Sequence, residues 1–401
     1  MPEFPGQTHT WIWREREALQ ELGIEADLVS TRRPPKAIIA HEWADEAQRN
    51  TVYLVPFGIK DFVGVFTEIL KAGPAAWLHC IAVIMKSRDT SLFQKFWLLA
   101  MILMAGKLAW LARRRGWSHV SVLSCGDAAN IAMFASILSG LTYNLTLLGP
   151  LEYFGPNQEQ KWEYASFALV MSEKLLKVVK DRLSHFLPKP IAVASMGVNL
   201  DQTKRDSPYI PWKPDTLCRI YSCGRLNPVK GHKYLIETVE LLRQRGFDVR
   251  LQIGGEDEQG GNGYRRELEK IIRDKSMSAY VDLLGAVSEE RNRKAIEEAH
   301  IFALASLNEG IPVAVMEAMA MEMPVVVTNA GGTSELVDNG IDALMVQPEN
   351  PEAMADAIMK VLQHKELALS LSQTSRQKIA TKFHHRISAE TLARCLEELA
   401  A

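Results

Sequence analysis

Asn308-Glu309-Gly310-Ile311-Pro312-Val313-Ala314-Val315-Met316-Glu317 is the stretch on which the reading of this chain turns. Seven residues separate the carboxylates of Glu309 and Glu317, with a Gly-x-Pro turn between them. The apolar run Ile301 to Ala305 just before it predicts a buried parallel strand. Pro312 to Glu322 predicts a helix with proline near its first position. A loop so placed lies at the carboxyl end of a strand, where open α/β sheets hold their ligands. Glu309 is then expected in the loop and Glu317 about two turns into the helix. The free amides along Gly310 to Val313 would face an anion. The arrangement suits a ligand with a phosphate in the middle and hydroxyl-rich groups on either side.

A second element makes the same demand. Leu217 to Cys223 reads as a short apolar strand, followed by Gly224-Arg225-Leu226-Asn227-Pro228-Val229-Lys230-Gly231-His232 and a helix through about Arg245. Arg225 leaves the strand end and Lys230 stands at the helix start. Two fixed cations beside a helix amino terminus suit a diphosphate, Arg by a forked contact and Lys as a point charge. Read alone, the two could equally be solvated loop charges. Their pairing with Glu309 and Glu317 one half-domain later favours the diphosphate.

From Cys218 onward strands and helices alternate. Strands are expected at Val249–Ile253, Val281–Leu284, Ile301–Ala305, Pro324–Thr328 and Ala343–Val346, with amphipathic helices such as Tyr264–Lys275 and Glu289–Glu298 between them. That alternation predicts a doubly wound parallel sheet. The first half is less regular but similar, with strands near Ala26–Ser30, Thr51–Val55, Val120–Leu123, Asn144–Leu147 and Ala168–Met171. The polar stretch Asp201 to Pro214 reads as a linker. The expected division is a first domain over 1–205 and a second over 206–385, with a last helix, about 386–401, free to pack back on the first. The segment Met1 to Thr8 is loop-like and leads straight into the helical pattern Trp11 to Leu22, where a doubly wound domain should begin with a strand. Either the true start lies upstream, or the first sheet is one strand short.

A length of 401 residues favours two domains, and a net charge of −2 gives no electrostatic case for nucleic acid. The five cysteines, Cys80, Cys125, Cys218, Cys223 and Cys395, are scattered without a C-x-x-C pair. That pattern predicts reduced thiols in a cytosolic protein and no zinc site. No signal peptide is expected, because no basic segment leads into an apolar core at the amino terminus. Phe96 to Gly106 is the most lipid-like stretch, but Lys107 ends its apolar run far short of the roughly twenty residues a bilayer span needs. It reads as a buried helix of the first domain. With Trp97, Trp110 and Arg113-Arg114-Arg115 nearby, it could also rest on an anionic membrane surface.

With these motifs in place, the chain resembles the retaining glycosyltransferases of family 4, which have the two-Rossmann-domain architecture called GT-B. Gly-Arg-Leu-x-x-x-Lys-Gly and Glu-x7-Glu stand in the expected order from Gly224 onward. The text around Ile253-Gly254-Gly255-Glu256-Asp257 and Leu284-Gly285-Ala286-Val287-Ser288 is similar to the bacterial exopolysaccharide and colanic-acid branch. The resemblance implies that Arg225 and Lys230 hold the diphosphate of a nucleotide sugar, UDP- or GDP-linked, and stabilise the leaving group. It implies Glu317 on the ribose hydroxyls and Glu309 on the donor sugar, with Gly310, Ile311, Pro312 and Val313 lining that pocket. Ala286, Val287 and Ser288 would lie along the nucleobase, and Gly6 in a first-domain loop that closes on the phosphates. Implied partners are a glycan or polyprenyl-linked acceptor, with no cofactor and no metal, at a cytoplasmic site on the inner face of the plasma membrane. Where the family usually carries a histidine, this chain has Leu148. Asp127 and Glu152 are the polar candidates nearby, each also readable as a helix cap or surface charge.

Other features weigh less. There is no Asp-x-Asp to hold a divalent ion. His384-His385 is adjacent, not at ligand spacing, and reads as packing. Glu256 and Asp257 read as a solvated loop or a donor contact. The glycines from Gly254 to Gly263 lack G-x-G-x-x-G spacing, which discounts NAD or FAD. Gly331-Gly332-Thr333 reads as a phosphate-facing turn or a tight connection. Two rivals stand beside the transferase: a GT-B nucleotide-sugar epimerase, and a non-catalytic GT-B-derived binding protein, the latter suggested by Leu148.

Overall fold

A computed structural model describes all of residues 1–401. In the first half, strands β1 (Leu28–Ser30), β2 (Thr51–Tyr53), β3 (His119–Val122), β4 (Thr142–Leu147), β5 (Phe167–Val170) and β6 (Ile191–Val193) alternate with helices. These are α1 (Thr10–Glu21), α2 (Ala44–Asn50), α3 (Ile59–Lys86), α4 (Leu92–Arg115), α5 (Asp127–Ser139), α6 (Gln158–Glu163) and α7 (Glu173–Leu183). The second half has β7 (Cys218–Cys223), β8 (Val249–Gly254), β9 (Val281–Gly285), β10 (Ile301–Leu304), β11 (Val325–Thr328) and β12 (Leu344–Val346). Its helices are α8 (His232–Gln244), α9 (Tyr264–Asp274), α10 (Glu289–Glu298), α11 (Val313–Ala320), α12 (Thr333–Leu336), α13 (Pro351–Gln363), α14 (Lys365–Lys382) and α15 (Arg386–Ala400).

The second sheet is parallel throughout, in the order β12-β11-β10-β7-β8-β9. Runs such as Val325-Val326-Val327 are buried on both faces, which is why they read as unbroken apolar text. Chain order reverses between β7 and β10, so the connections leave on opposite sides and a crevice opens at the carboxyl ends of those two strands.

The first sheet is split into β1-β2 and a separate β3-β4-β5-β6 ladder. No strand precedes α1. Instead Met1 to Glu3 run alongside β1: the Met1 ammonium donates to the Val29 carbonyl, the Thr31 and Arg32 amides donate to the Met1 and Pro2 carbonyls, and Glu3 bridges Arg32 in parallel. This short segment satisfies backbone groups that the edge of β1 would otherwise leave open. Strand β6 leaves no mark in the sequence, since three residues after Pro188 and Pro190 are too few to show a period.

Phe96–Gly106 falls within α4, and the buried-helix expectation holds for one face only. Leu98, Met101, Ile102 and Ala105 are buried, whereas Phe96, Trp97, Leu99 and Leu103 face outward. Lys107 does not end the helix. Its buried ammonium donates to the carbonyls of Tyr53 and Leu54 and to Asp61, so the charge is satisfied inside the domain. The preceding α3 kinks at Gly73-Pro74, where Gly73 takes a φ of 73° that breaks the helical run.

The chain crosses between its halves twice. Helix α14 lies against α11 in the second half, and α15 lies against α1 in the first. There Ala389, Leu392 and Cys395 pack with Ala18, Leu19, Phe167 and Leu169. At the crossing His384 pairs with Val198, and the two histidine rings lie 4.4 Å apart. Glu15 is sealed near this seam, and burial pushes its carboxyl up to about 7, against a weaker opposing hydrogen bond from Ser388. A carboxyl raised in the folded state retains its proton longer than in the unfolded chain. Its contribution to stability is therefore lost as pH rises from about 4.5 to about 7. Glu15→Gln is expected to raise stability at pH 8 by on the order of 1–3 kcal/mol and to leave it nearly unchanged at pH 4. Urea unfolding midpoints across that range check this.

Candidate functional site

Because β7 and β10 are neighbours, the loops that follow them open side by side. The Leu307 amide donates to the Val229 carbonyl at 2.7 Å and ties the two loops together. Gly231 permits this approach: its φ is 63°, and a Cβ there would run into the Ala305 carbonyl. Lys230 Nζ thereby comes 2.6 Å from Glu309 Oε1, and the Ser306 hydroxyl donates to the same oxygen at 2.6 Å. Both charges are largely withdrawn from solvent.

Arg225 does not join them. Its half-exposed guanidinium leans outward to Glu258 at 2.5 Å. Its carbonyl lies 3.1 Å from Nε2 of buried His232, a contact that requires the proton on that nitrogen. Burial pushes His232 down to about 4, so it is a neutral scaffold for the loop.

Glu317 sits on α11 in the same crevice. Its two oxygens accept from Arg14 at 3.2 Å and from Asn292 at 3.1 Å. Burial raises its pKa; the Arg14 guanidinium opposes the shift and the Glu289 carboxylate adds to it. Arg14 comes from α1, in the other half of the molecule. Its second nitrogen donates to Glu289 at 2.6 Å, and Glu289 also takes the Trp43 indole N–H at 2.9 Å. The Asn292 oxygen accepts from Tyr221 at 2.8 Å. Glu317 is thus oriented by a network that spans both halves. A cavity of about 360 Å³ opens beside it, edged by Glu42, Gln202 and Arg293.

Helix α11 is shorter than Pro312 to Glu322. It begins at Val313, with Pro312 as its cap at φ −76° and ψ 107°, and ends at Ala320. In its first turn the Val315 amide donates to the Pro312 carbonyl at 3.1 Å, which leaves the Val313 and Ala314 amides without an intrahelical carbonyl. Ile311 is buried. A Cβ on Gly310 would collide with the Leu148 carbonyl and the Met171 sulfur, so the glutamate loop rests on the carboxyl ends of β4 and β5. Position 148 therefore faces Gly310. The two polar candidates nearby are both engaged elsewhere: Asp127 takes the Trp97 indole N–H at 3.1 Å, and Glu152 pairs with Arg182.

Ala286 to Ser288 follow β9. Val287 is buried against Gly254, and the Ser288 hydroxyl caps α10 by accepting from the Arg291 amide at 3.2 Å. Gly6 lies in a loop that reaches the second half. The next residue, Gln7, makes paired bonds to the Glu256 backbone, donating to its carbonyl at 2.7 Å and accepting from its amide at 2.8 Å. Glu256 and Asp257 are buried, which corrects the solvated-loop reading. Glu256 pairs with Arg265 at 2.8 Å. Burial works against the charged form of Asp257. Backbone N–H groups of Arg265, Gly261, Gly263 and Gln259 outweigh that and hold its carboxyl below the usual range. It folds the glycine loop.

His9, at the start of α1, is half-buried, with its Nδ1 sealed from solvent and unpartnered. Burial, helped by the Arg225 charge, pushes it down to about 4, so it is a neutral imidazole with a free nitrogen. Sequence reasoning missed His9, Gln7, Arg14, Glu289 and Asn292. Arg14 reads as one surface charge in Trp13-Arg14-Glu15-Arg16-Glu17, and nothing local marks it as the residue that crosses to Glu317.

Chemically, the crevice offers a lysine, two open helix amides and two largely buried carboxylates on the segments that follow β7 and β10, with a neutral histidine at the start of α1 close to Arg225. Residues 210–378 match the family model described as glycosyl transferases group 1. The chain carries a glycosyl transferases group 1 domain. The amylovoran biosynthesis glycosyltransferase AmsK of Erwinia amylovora is 31% identical over 188 residues, 45% of each chain. The putative colanic acid biosynthesis glycosyltransferase WcaL of Escherichia coli is 29% identical over 261 residues, 62% of this chain and 61% of that one. The chain spans about half the length of the curated relatives it matches. Among solved structures, sucrose-phosphate synthase from Thermosynechococcus elongatus superposes with a TM-score of 0.73 at 17% identity, over 100% of this chain and 95% of that one. The Anabaena protein HepE in complex with UDP-glucose gives 0.64 at 17% identity, over 74% and 82%. The architecture is GT-B, with the parallel strands of the two halves presenting carboxyl ends to a shared cleft.

Proposed function

We propose that this protein is a retaining glycosyltransferase that moves a sugar from a nucleotide diphosphate sugar to a glycan or polyprenyl-linked acceptor, on the cytoplasmic side of the plasma membrane. The observation that carries the reading is the meeting of Lys230 with Glu309 beside Glu317 at the switch point of the second sheet. Lys230 and Glu309 neutralise each other across their ion pair. A donor diphosphate would take over Lys230, with Arg225 swinging in from Glu258, and Glu309 would turn to a sugar hydroxyl. Glu317, released from Arg14, would accept from the ribose hydroxyls. The open amides of α11 would face the phosphate. Charge developing on the departing nucleoside diphosphate would then be stabilised by groups already in place. Attack from the same face as the leaving group keeps the anomeric configuration. The names of the relatives support a cell-surface polysaccharide as product.

Incubation with UDP- and GDP-linked sugars, followed by mass spectrometry, tests the reading. Transfer, or slow donor hydrolysis to free sugar and nucleoside diphosphate, is expected. Donor binding without turnover would favour the non-catalytic reading that Leu148 suggests, and conversion to an isomeric nucleotide sugar would favour an epimerase.

Leu148 adjoins Gly310 but has no polar group for the donor sugar, and His9 is the neutral donor or acceptor that could stand in for it. Leu148→His is expected to raise turnover by about 2- to 10-fold, the worth of one net hydrogen bond. Unchanged turnover in steady-state assays would mean that His9 or another group already fills the role.

A further inference from the structure

The hairpin formed by α3 and α4 is apolar on its outer face as well as on the face it buries. Ile59, Phe62, Phe66 and Leu70 lie one helical turn apart along α3 and all point to solvent, Ile59 at 87% exposure and Phe66 at 62%. Beyond the Gly73-Pro74 kink, Leu78, Ile81 and Met85 continue the outward face. On α4, Phe93 at 81%, Phe96 at 70%, Leu99 and Leu103 add a second row. Scattered exposed apolar residues are ordinary, but two aligned rows on neighbouring helices are not.

The charge around these rows is one-sided. Residues 59–115 hold nine lysines and arginines against three acidic residues, in a chain whose net charge is −2. Two of the three acids are neutralised within the hairpin, Asp61 by Lys107 at 2.8 Å and Glu68 by Arg113 at 2.8 Å. Lys60, Lys86 and Arg88 are exposed beside the apolar rows.

We propose that the α3–α4 hairpin docks this protein on an anionic lipid bilayer, its two apolar rows entering the acyl boundary and its lysines and arginines meeting lipid phosphates. Both helices are long and apolar enough to cross a membrane by length and composition. Their inner faces argue for lying on it instead. Leu98, Met101 and Ile102 of α4 and Val83 and Ile84 of α3 belong to the core of the first half, which a spanning helix would have to abandon. Charge complementarity selects the lipid surface over a second copy of the chain, because two copies would bring like-charged hairpins together.

The docking face also adjoins the cleft. Helix α3 starts shortly after the carboxyl end of β2. Trp97 of α4 donates to Asp127, which opens α5 just past the carboxyl end of β3. A bilayer against the hairpin would thus lie next to the edge of the first sheet that faces the second domain. The proposal needs neither the donor site nor any turnover, so it can fail without touching the transferase reading.

Flotation of the full chain with vesicles decides it. Binding to phosphatidylcholine vesicles containing roughly 30% phosphatidylglycerol is expected to exceed binding to pure phosphatidylcholine by at least about 10-fold and to weaken with salt. The combined variant Phe62→Ser, Phe66→Ser, Phe93→Ser and Phe96→Ser should lose about 10-fold or more of that binding while its thermal midpoint and its UDP binding hold. Should that variant unfold, Lys60→Glu, Lys86→Glu and Arg88→Glu, all at exposed positions, should abolish the preference for anionic vesicles. Failure of the wild-type chain to float with either vesicle overturns the proposal. So does a dimer, seen by light scattering, that the serine variant dissolves while vesicle binding is absent, since that outcome assigns the rows to a second copy.

Discussion

Replacing Lys230 with alanine is expected to weaken nucleoside diphosphate binding by about 10- to 100-fold, the range for losing a charge-assisted contact to phosphate. Isothermal titration with UDP and GDP reads this directly. The same change has a second consequence. Glu309 is 8% exposed, and without Lys230 it keeps only the Ser306 hydroxyl, so stability should fall by about 1–3 kcal/mol. The two effects separate in the double variant Lys230→Ala, Glu309→Ala. Removing both charges should recover most of the stability and none of the affinity. Full affinity in the single variant would remove Lys230 from the phosphate site.

Glu309→Gln should act on turnover more than on binding. If the carboxylate holds a donor hydroxyl close to the reacting carbon, its interaction strengthens as positive charge develops there, and an amide cannot follow. A fall in kcat of roughly 100-fold is expected, with nucleoside diphosphate affinity changed by no more than about 3-fold, because Lys230 is then freed from its ion pair. Equal losses in kcat and affinity would instead make Glu309 a folding partner of Lys230 and nothing more. The size-conserving change matters here. The amide oxygen of a glutamine at this position can still accept from Ser306, so the loop has no reason to collapse.

How much of this was legible before folding depends on the range of each interaction. The strand at Ile301, the Gly-Ile-Pro turn and the helix carrying Glu317 follow one another within about twenty residues, and each leaves a local mark: a buried apolar run, a proline cap, a helical period. The Gly224–Gly231 loop is equally plain, and its place beside the Glu309 loop followed once both were set at strand ends. The crevice partners were hidden for the opposite reason. Arg14 and Glu317 are 303 positions apart, and Gln7 and Glu256 are 249 apart. A charged residue on an amphipathic helix looks the same whether it faces water or another domain. The outward face of α3 was missed because its acidic residues turn inward, Asp61 to Lys107 and Glu68 to Arg113, so the polar side of its first half is not the side that meets solvent. Gly73-Pro74 blurred what period there was.

By itself, then, the sequence determined the alternation of strand and helix, the parallel sheets and the four charged residues in the segments that follow β7 and β10, since each depends on neighbours along the chain. Tertiary structure alone decided that Lys230 neutralises Glu309 while Arg225 turns away, that Arg14 reaches across to occupy Glu317, and that an apolar hairpin is left facing solvent. Those outcomes depend on which surfaces meet when two separately wound sheets close on each other, and chain order carries almost none of that geometry.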